Sequence, residues 1–515
     1  MNNIAVDNAI NELYMHTART TMAGFMLYMK NDYELMWYNR LICSKLDDFA
    51  NCKSNRLIIN MPPQHGKSEL ISRKLPAFLF GRNPNEKIIA ASCDATLASK
   101  FSKDVQRIID TNIYKNLFPA TYINSKDNRQ ERNLDTHYIR TNRFFEICKN
   151  NGYYQCAGVG GSINGESATV LILDDPYVNY QSANSSTIRE GIWDWFVSTF
   201  LTRKSSELLR VLIVHTRWHE DDITGRLLTL EPEDWDVVSL PAIANEESVS
   251  SGYDIRQLGE PLWANRHPLI ELEKTKERSG SIVWNSVYQQ RPSPQGSGLF
   301  NRKNFVYANL INGLYSFTAN NVSYTYNASD CYRFATCDLS ITASSNSDYT
   351  VVSIIDYING FIILHDVYRK QVDGADHIDI IKSLIQSYNI KLMYIENNQY
   401  QSTLVQSALM QGLPVQGVRA DKSKELRALG IAAKFEAKKV IFNNNISSLN
   451  VLENELLQFP QGKNDDFLDA MSYAANAVMN INQYIYEFSK NNNTGKQVNK
   501  TLKYNKNKFD FFNKL

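Results

Sequence analysis

No stretch of this 515-residue chain approaches the roughly 18 to 20 uninterrupted apolar residues that a membrane span needs. The first 30 residues carry scattered acidic and polar side chains, so a secretory leader is not expected. The seven cysteines form no CxxC pair and are odd in number. That excludes a disulfide framework or a zinc ribbon and points to reduced thiols of a cytosolic protein. A dominant charge is also missing: the formal net charge is +1, so any nucleic-acid surface must be local. What remains is ordinary for a soluble globular protein, 43% hydrophobic and 21% charged residues. The chain is too long for a single core, and its length suggests about two to four domains.

Residues 1–50 read as a helical segment, with Met26, Leu27, Met29, Leu35, Trp37 and Leu41 as core candidates. Over 51–245 short β-rich runs (56–60, 87–92, 169–174, 209–216, 236–240) alternate with helical stretches, clearest at 67–80 and 95–110. That alternation predicts a mostly parallel sheet covered on both faces. Residues 246–330, rich in Asn, Ser, Gly and Pro, read as a linker region. From 331 to 483 the expected order is strands 333–339, 350–357 and 361–368, helix 375–388, strand 391–396, helix 400–411, strand 414–418, helix 423–438, strand 440–442, and helices 447–458 and 467–480. Asn359-Gly360 between two apolar runs is a strong hairpin signal. Three antiparallel strands followed by alternating helices and strands is the order of a ribonuclease-H-like fold. Residues 484–515 form a basic, Asn/Lys-rich tail: from Ser489 onward there are seven Lys against one Asp, a composition that cannot bury a core. Either the tail has a partner or it is simply solvated.

Two groups of residues carry chemistry. The first is Met61-Pro-Pro-Gln64-His65-Gly66-Lys67-Ser68, which follows the apolar run Leu57-Ile58-Ile59. A strand, a tight loop ending Gly-Lys-Ser and a helix cradle a nucleoside triphosphate: backbone N–H groups face the phosphates, Lys67 reaches them and Ser68 can hold Mg²⁺. The first glycine of that pattern is replaced by Met61. Downstream, Val170-Leu-Ile-Leu-Asp174-Asp175-Pro ends an apolar strand in two acids, placing them at the ligand-binding edge of an open α/β sheet. Asp174 is then the Mg²⁺ acid and Asp175 the residue that orients or deprotonates the attacking water. An isolated Asp-Asp-Pro is more often a helix cap or turn acid; pairing with the Gly-Lys-Ser loop favours the nucleotide reading. A third strand runs into His215-Thr216-Arg217-Trp218-His219-Glu220-Asp221-Asp222. There Thr216 is a candidate γ-phosphate sensor, while Trp218 and His219 are equally packing residues.

The second group is Asp338 at the end of one strand, Glu396 at the end of a later one, and Asp465, Asp466 and Asp469 where the last helix begins. Singly each is a surface or capping acid; Asp465 and Asp466 are both natural N-caps. Together, carboxylates converging on one point repel unless divalent cations lie between them. Two Mg²⁺ or Mn²⁺ there would activate water and stabilise a leaving 3′-oxygen. An oxygen-only donor set argues against zinc. Asp469 and Asp348 are possible auxiliary acids. The sequence leaves open which of Asp465 and Asp466 faces inward. Arg419, Lys422, Lys424 and Arg427 are candidate phosphate contacts, or a solvated helix face.

The segments PPQHGKS, IIAASCDATLASKFSKDVQRII (88–109), GVGGSINGESATVLILDDP (158–176), IWDWF (192–196) and HTRWHEDD (215–222) occur in that order. In combination they resemble the large terminase subunit of tailed bacteriophages, over about residues 35 to 480. The resemblance implies an N-terminal P-loop NTPase of ASCE type and a C-terminal ribonuclease-H-like nuclease. The function implied is ATP-driven packaging of double-stranded DNA into a procapsid and two-metal cutting of concatemers. It implies ATP with Mg, two divalent cations (Mg or Mn) on Asp338, Glu396 and the Asp465/Asp466 pair, a portal protein and a small terminase subunit as partners, a ring of five subunits, and the host cell cytoplasm as location. Family members often carry Arg where this chain has Gln64, so a cation is expected from elsewhere, with Arg140, Arg143 and Arg189 as candidates for a trans-acting finger. A helicase-nuclease of DNA repair is the alternative, but it needs a second motor domain that 245–480 does not show. An ATP-binding scaffold with inert acids is the reading from a different class.

Overall fold

The computed structural model describes residues 2–124, 138–163, 165–205, 208–292, 298–340, 349–396, 399–419, 424–460 and 465–493. It divides the chain into two compact units, Met1–Ser297 and Gly298–Leu515.

The first unit is built on strands β1 (Arg56–Asn60), β2 (Lys87–Ser92), β3 (Phe144–Glu146), β4 (Tyr153–Gly158), β5 (Val170–Asp174), β6 (Arg210–His215) and β7 (Asp236–Ser239). Their order is β3-β4-β2-β5-β6-β1-β7, all parallel except β3. Successive side chains of a strand face opposite ways, and here both faces are apolar. Leu57, Ile59, Ile88, Ala90, Val170, Ile172, Leu212 and Val214 join one core. Ile58, Ile89, Ala91, Leu171, Leu173, Val211 and Ile213 join the other. This is why the strands read as continuous apolar runs. The first core is closed by the helices Met22–Met29, Trp37–Ala50, Leu75–Arg82 and Ala95–Asp110. The last of these starts where the Asp94 carboxylate accepts from the Thr96 and Leu97 N–H groups. The 1–50 segment is therefore part of the ATPase-type unit: Met26 and Leu35 are buried in its core, with Leu27, Met29, Trp37 and Leu41 packed against it.

Two expectations are corrected in this unit. The helix expected at 67–80 begins with a π turn, Glu69–Lys74, before the α-helix Leu75–Arg82. The Leu75 N–H reaches back five residues to the Leu70 carbonyl, and Pro76 has no N–H with which to resume an α pattern at once. The 246–330 stretch is not a linker. Its first part carries the helix Leu269–Val283 and the π turn Trp284–Tyr288 inside the first unit; its last part forms three strands of the second.

Those strands are β8 (Val306–Ile311), β9 (Leu314–Ala319) and β10 (Val322–Asn327). They are followed by β11 (Tyr332–Asp338), β12 (Thr350–Ile358), β13 (Phe361–Lys370), β14 (Met393–Glu396), β15 (Val415–Val418) and β16 (Val440–Asn443). The sheet order is β10-β9-β8-β16-β13-β12-β11-β14-β15. β11, β12 and β13 are antiparallel neighbours, and β14 lies parallel to β11, as a ribonuclease-H-like sheet requires. The β12–β13 turn has Asn359 at φ 47° and Gly360 at φ 85°, the conformation Asn-Gly favours. Helix Asp466–Asn493 lays Phe467, Leu468, Met471 and Ala474 on one face of the sheet. Ile381, Leu384, Leu404 and Val405 cover the other.

A buried ion pair ties the first unit's sheet to its flanking loop. Arg210 on β6 (3% exposed) donates to Glu86 (7% exposed) at 2.6 Å, and to the Ala50 carbonyl at 3.2 Å. Removing one partner of such a pair strands a buried charge at a cost of about 3 to 5 kcal/mol. Arg210→Met should therefore lower the unfolding transition of the ATPase-type unit by roughly that amount, read by calorimetry on the full chain. An unchanged transition would show that the pair contributes nothing.

Candidate active sites

The first site forms where β1, β5 and β6 end together. Lys67, 6% exposed, donates to the Asp175 carboxylate at 2.8 Å and to the Thr216 hydroxyl at 2.5 Å. The Thr216 hydroxyl donates onward to the Met61 carbonyl at 3.0 Å, and the Thr216 N–H donates to Asp175 Oδ1 at 3.0 Å. Asp175 has φ 45°, a left-handed backbone that costs energy outside glycine and turns this acid back from the strand end. Gln64 (φ 61°) and Gly66 (φ 87°) shape the loop; the Gln64 side chain is exposed.

Asp174 is buried. The Ser72 hydroxyl donates to its Oδ2, and Ser68 also hydrogen-bonds it, while Oδ1 has no partner. Burial, then the neighbouring Asp175, pushes its carboxyl up to about 6, with Lys67 opposing. An orphaned buried carboxylate oxygen beside Ser68 and Ser72 is the donor set a hard divalent cation takes, so the residues fit Mg²⁺. Ser72 had no sequence signal: the π turn brings it onto Asp174.

The His65 side chain does not join the cradle. It is 1% exposed, its Nδ1 lies 2.8 Å from the Pro63 carbonyl, and its ring stacks on His267 at 4.4 Å. Burial lowers its pKa to about 4, so the ring is neutral packing, and only its backbone belongs to the loop. After β6, His219 is buried and Trp218, half-buried, packs against the core. Asp222 caps the helix Ile223–Leu230 and takes the Arg217 guanidinium at 2.9 Å. Of the three arginines considered as fingers, two are tied down within the unit. Arg140 pairs with Asp110, and Arg189 with Asp221 and the Ala183 carbonyl. Arg143 is exposed.

The second site lies in the other unit, at the adjacent ends of β11 and β14. Cys337 pairs with Ile395 across the parallel ladder, and Asp338 and Glu396 follow, one residue further on each strand. The helix Asp466–Asn493 brings Asp466 (5% exposed) and Asp469 (9% exposed) against them. Burial, then repulsion from Asp469, Glu396 and Asp466, drives the Asp338 carboxyl up to about 8; Lys424 opposes. Asp466 is the inward member of its pair, its Oδ2 3.3 Å from the Tyr349 N–H. Asp465 sits on the rim with its side chain 38% exposed, bound to Lys424. Asp469, expected only as an auxiliary, leads the charged groups acting on Asp338. Asp348 and Lys422 lie outside the described residues.

Lys424 and Arg427 are not free phosphate contacts. Lys424 meets Asp465 and, at 2.6 Å, Asp469; Arg427 meets Asp469 at 3.0 Å. Arg419 is exposed. Among the described residues no three His, Cys, Asp or Glu side chains close on a single point as a formed metal cage. The oxygen-only set and its mutual repulsion fit divalent cations that would replace the ammonium now among the acids. Sequence reasoning also missed Glu455. Its carboxylate accepts from the Phe467 N–H at 2.6 Å and the Leu468 N–H at 3.2 Å, holding the start of the helix that carries Asp466.

The model of the family described as terminase large subunit, T4likevirus-type, N-terminal, matches residues 58–306, and that of the terminase RNaseH-like domain matches 335–478. The chain belongs to the terminase large subunits. It is an ATPase and a nuclease of DNA packaging, with the motor in the first unit and the nuclease in the second. The chain also aligns with solved large terminases at low identity. One from a thermophilic bacteriophage, in complex with ATP-gamma-S, is 11% identical over 84% of this chain and 96% of that one, with a TM-score of 0.42. That of bacteriophage HK97 is 13% identical over 77% and 85%, at 0.34. The large terminase nuclease of thermophilic phage G20c with bound magnesium is 14% identical over 36% and 98%, at 0.27. No curated protein matches.

The terminase nuclease should have a pH-dependent fold. The folded state holds the Asp338 proton more tightly than the unfolded chain, whose carboxyl titrates near about 3.9. Its contribution to stability is therefore full below about pH 4 and is lost as pH rises through about 8. Melting of the metal-free protein should decline over that window, and Asp338→Asn should flatten the decline. Added Mn²⁺ should raise the melting temperature more at pH 8 than at pH 6, because only the carboxylate binds it. Identical pH profiles for the two proteins would refute the assignment.

Proposed function

We propose that the Gln64–Ser68 loop binds ATP and that Lys67, Asp175 and Thr216 hydrolyse it to drive double-stranded DNA into a procapsid. In the same proposal Asp338, Glu396 and Asp466, with Asp469 beside them, cut the DNA between packaging rounds. The carrying observation is the convergence of Lys67, Asp175 and Thr216 at the shared end of three strands.

Lys67 presents its charge to the β- and γ-phosphates, which draws it from its present acceptors. Asp175, fixed by the Thr216 N–H, orients the attacking water and takes its proton. Ser68 and Asp174, with Ser72 behind, would hold Mg²⁺, which neutralises phosphate charge when bound. In the nuclease the acids would hold two divalent cations, Mg²⁺ or Mn²⁺, which activate water and stabilise the leaving oxygen. Asp466 is steadied for this by the helix start that Glu455 caps.

The proposal has further parts, taken by analogy with the family. The chain acts in the host cell cytoplasm as a ring, of five subunits by analogy, assembled on a portal protein and served by a small terminase subunit. Arg143 is exposed and, unlike Arg140 and Arg189, is not held in an ion pair among the described residues. It is the best placed of the three to enter a neighbour's site and supply the charge Gln64 lacks. The helicase-nuclease alternative finds no support, since the second unit is a ribonuclease-H-like sheet rather than a second motor.

Lys67→Ala should reduce ATP turnover to background; turnover that survives would overturn the motor site. Plasmid nicking in Mn²⁺ should vanish in Asp338→Ala while ATP turnover persists. Undiminished nicking would remove Asp338 from the nuclease.

A further inference from the structure

The π turn Trp284–Tyr288 and the residues after it fasten to the first unit's sheet at two points. Gln289 bonds Ile243, beyond the end of β7, through both side-chain atoms: its Oε1 accepts from the Ile243 N–H at 3.1 Å and its Nε2 donates to the Ile243 carbonyl at 3.0 Å. Gln290 bonds beyond the end of β6: its Oε1 accepts from the Arg217 N–H at 3.0 Å, and its Nε2 donates to the Val287 carbonyl at 2.5 Å. β6 and β7 flank β1, the strand that feeds the phosphate loop. Two adjacent amides thus grip the chain just beyond the two strands that bracket it.

The Gln290 contact is the more informative. The side chain is 3% exposed and its backbone has φ 56°, a conformation that persists only where the surroundings enforce it. Its partner Arg217 directly follows Thr216, whose hydroxyl receives Lys67 and whose N–H holds Asp175. One covalent step separates the residue touching the ATP machinery from the residue Gln290 grips. The Arg217 side chain cannot shift cheaply to absorb a movement of Thr216, because its guanidinium is locked to the fully buried Asp222. Movement at Thr216 is therefore passed along the backbone to the Arg217 N–H. A short chain of packed, hydrogen-bonded groups with a fixed far end is a physical route for coupling. The route leads to Arg291 and Pro292, close to the end of the unit at Ser297.

We propose that Gln290 is a positioning residue that transmits the nucleotide state read by Thr216 to the 284–292 segment, through which the chain leaves the motor unit. When Lys67 and Asp175 turn to ATP, Thr216 loses two of its present partners, and the strand end that Gln290 holds is free to change position. The amide is suited to this role because it accepts from the moving strand end while donating back into its own turn.

The inference rests on the ATP reading of the loop, and the test separates the two. Hydrogen exchange of residues 284–292 is measured in the full chain with and without ATPγS and Mg²⁺, alongside calorimetric binding of the same nucleotide. In the wild type the nucleotide should change exchange across 284–292. Gln290→Met, which keeps the volume but removes the acceptor, should bind ATPγS with unchanged affinity and lose that nucleotide-dependent difference. Gln290→Glu, which keeps an acceptor for the Arg217 N–H but loses the donor to the Val287 carbonyl, should retain part of it. A wild type that binds nucleotide without any change at 284–292, or a Met variant that keeps the full difference, overturns the coupling role. Failure of the wild type to bind ATPγS at all removes the ATP reading, and this inference with it. A Met variant whose 284–292 exchange is raised equally in both states, with Gln290→Glu behaving the same way, would mark Gln290 as a structural clamp and likewise overturn the proposal.

Discussion

The ammonium of Lys67 is the point on which the motor unit turns. It arrives on the loop after β1, meets the acid after β5 and the hydroxyl after β6, and so records the relative position of three strand ends in a single group. A buried cation needs such partners, since leaving it uncompensated costs several kcal/mol. On the proposed ATP reading the same need would make the cluster responsive: a triphosphate would offer the ammonium another set of acceptors and release what holds it now. Sensitivity to nucleotide is thus a property of charge compensation, and it requires only that the sheet bring these ends together. The sheet does so because both of its faces are apolar and buried, which fixes its strands and leaves only their tips adjustable.

The nuclease unit poses a related electrostatic problem. Here carboxylates are the surplus, gathered by neighbouring parallel strands and one helix start, and the Asp338 proton and the Lys424 ammonium partly neutralise them. Divalent cations, in the proposed function, would complete that neutralisation more fully than one lysine can.

Much of this is legible in the sequence, for reasons that differ by element. β1, β2 and the helix Ala95–Asp110 are visible because apolar runs and the Asp94 cap leave local signatures. The acids at 174, 175, 338 and 396 are visible because they terminate such runs. β3 and β4 escape notice; Tyr153-Tyr-Gln-Cys-Ala-Gly158 has few β-branched residues, and its strand character comes from pairing with β2. The β8–β10 strands read as a linker although Asn312-Gly313 and Asn320-Asn321 adopt the same left-handed turns as Asn359-Gly360. These strands are polar or only half buried and lack the continuous apolar runs that mark the later hairpin. Within the sites, Ser72, Gln290 and Glu455 leave no trace in one dimension. Each acts through a partner more than ten residues away, a distance that only the folded chain closes.

The π turn at Glu69–Lys74 carries a consequence of its own. A π turn holds one residue more than the α winding it interrupts, and such turns are frequent at functional sites. Ser72 stands in that widened turn, facing Asp174. Seen as a matter of chain length, the helix after the phosphate loop carries one surplus residue. Deleting it would restore regular winding and keep the later apolar positions in phase, at the expense of the serine's aim. A shortened relative would then have a smoother helix and an Asp174 without its serine partner, so on the proposed reading the length of this segment would bear on magnesium binding independently of whether the loop still spells Gly-Lys-Ser.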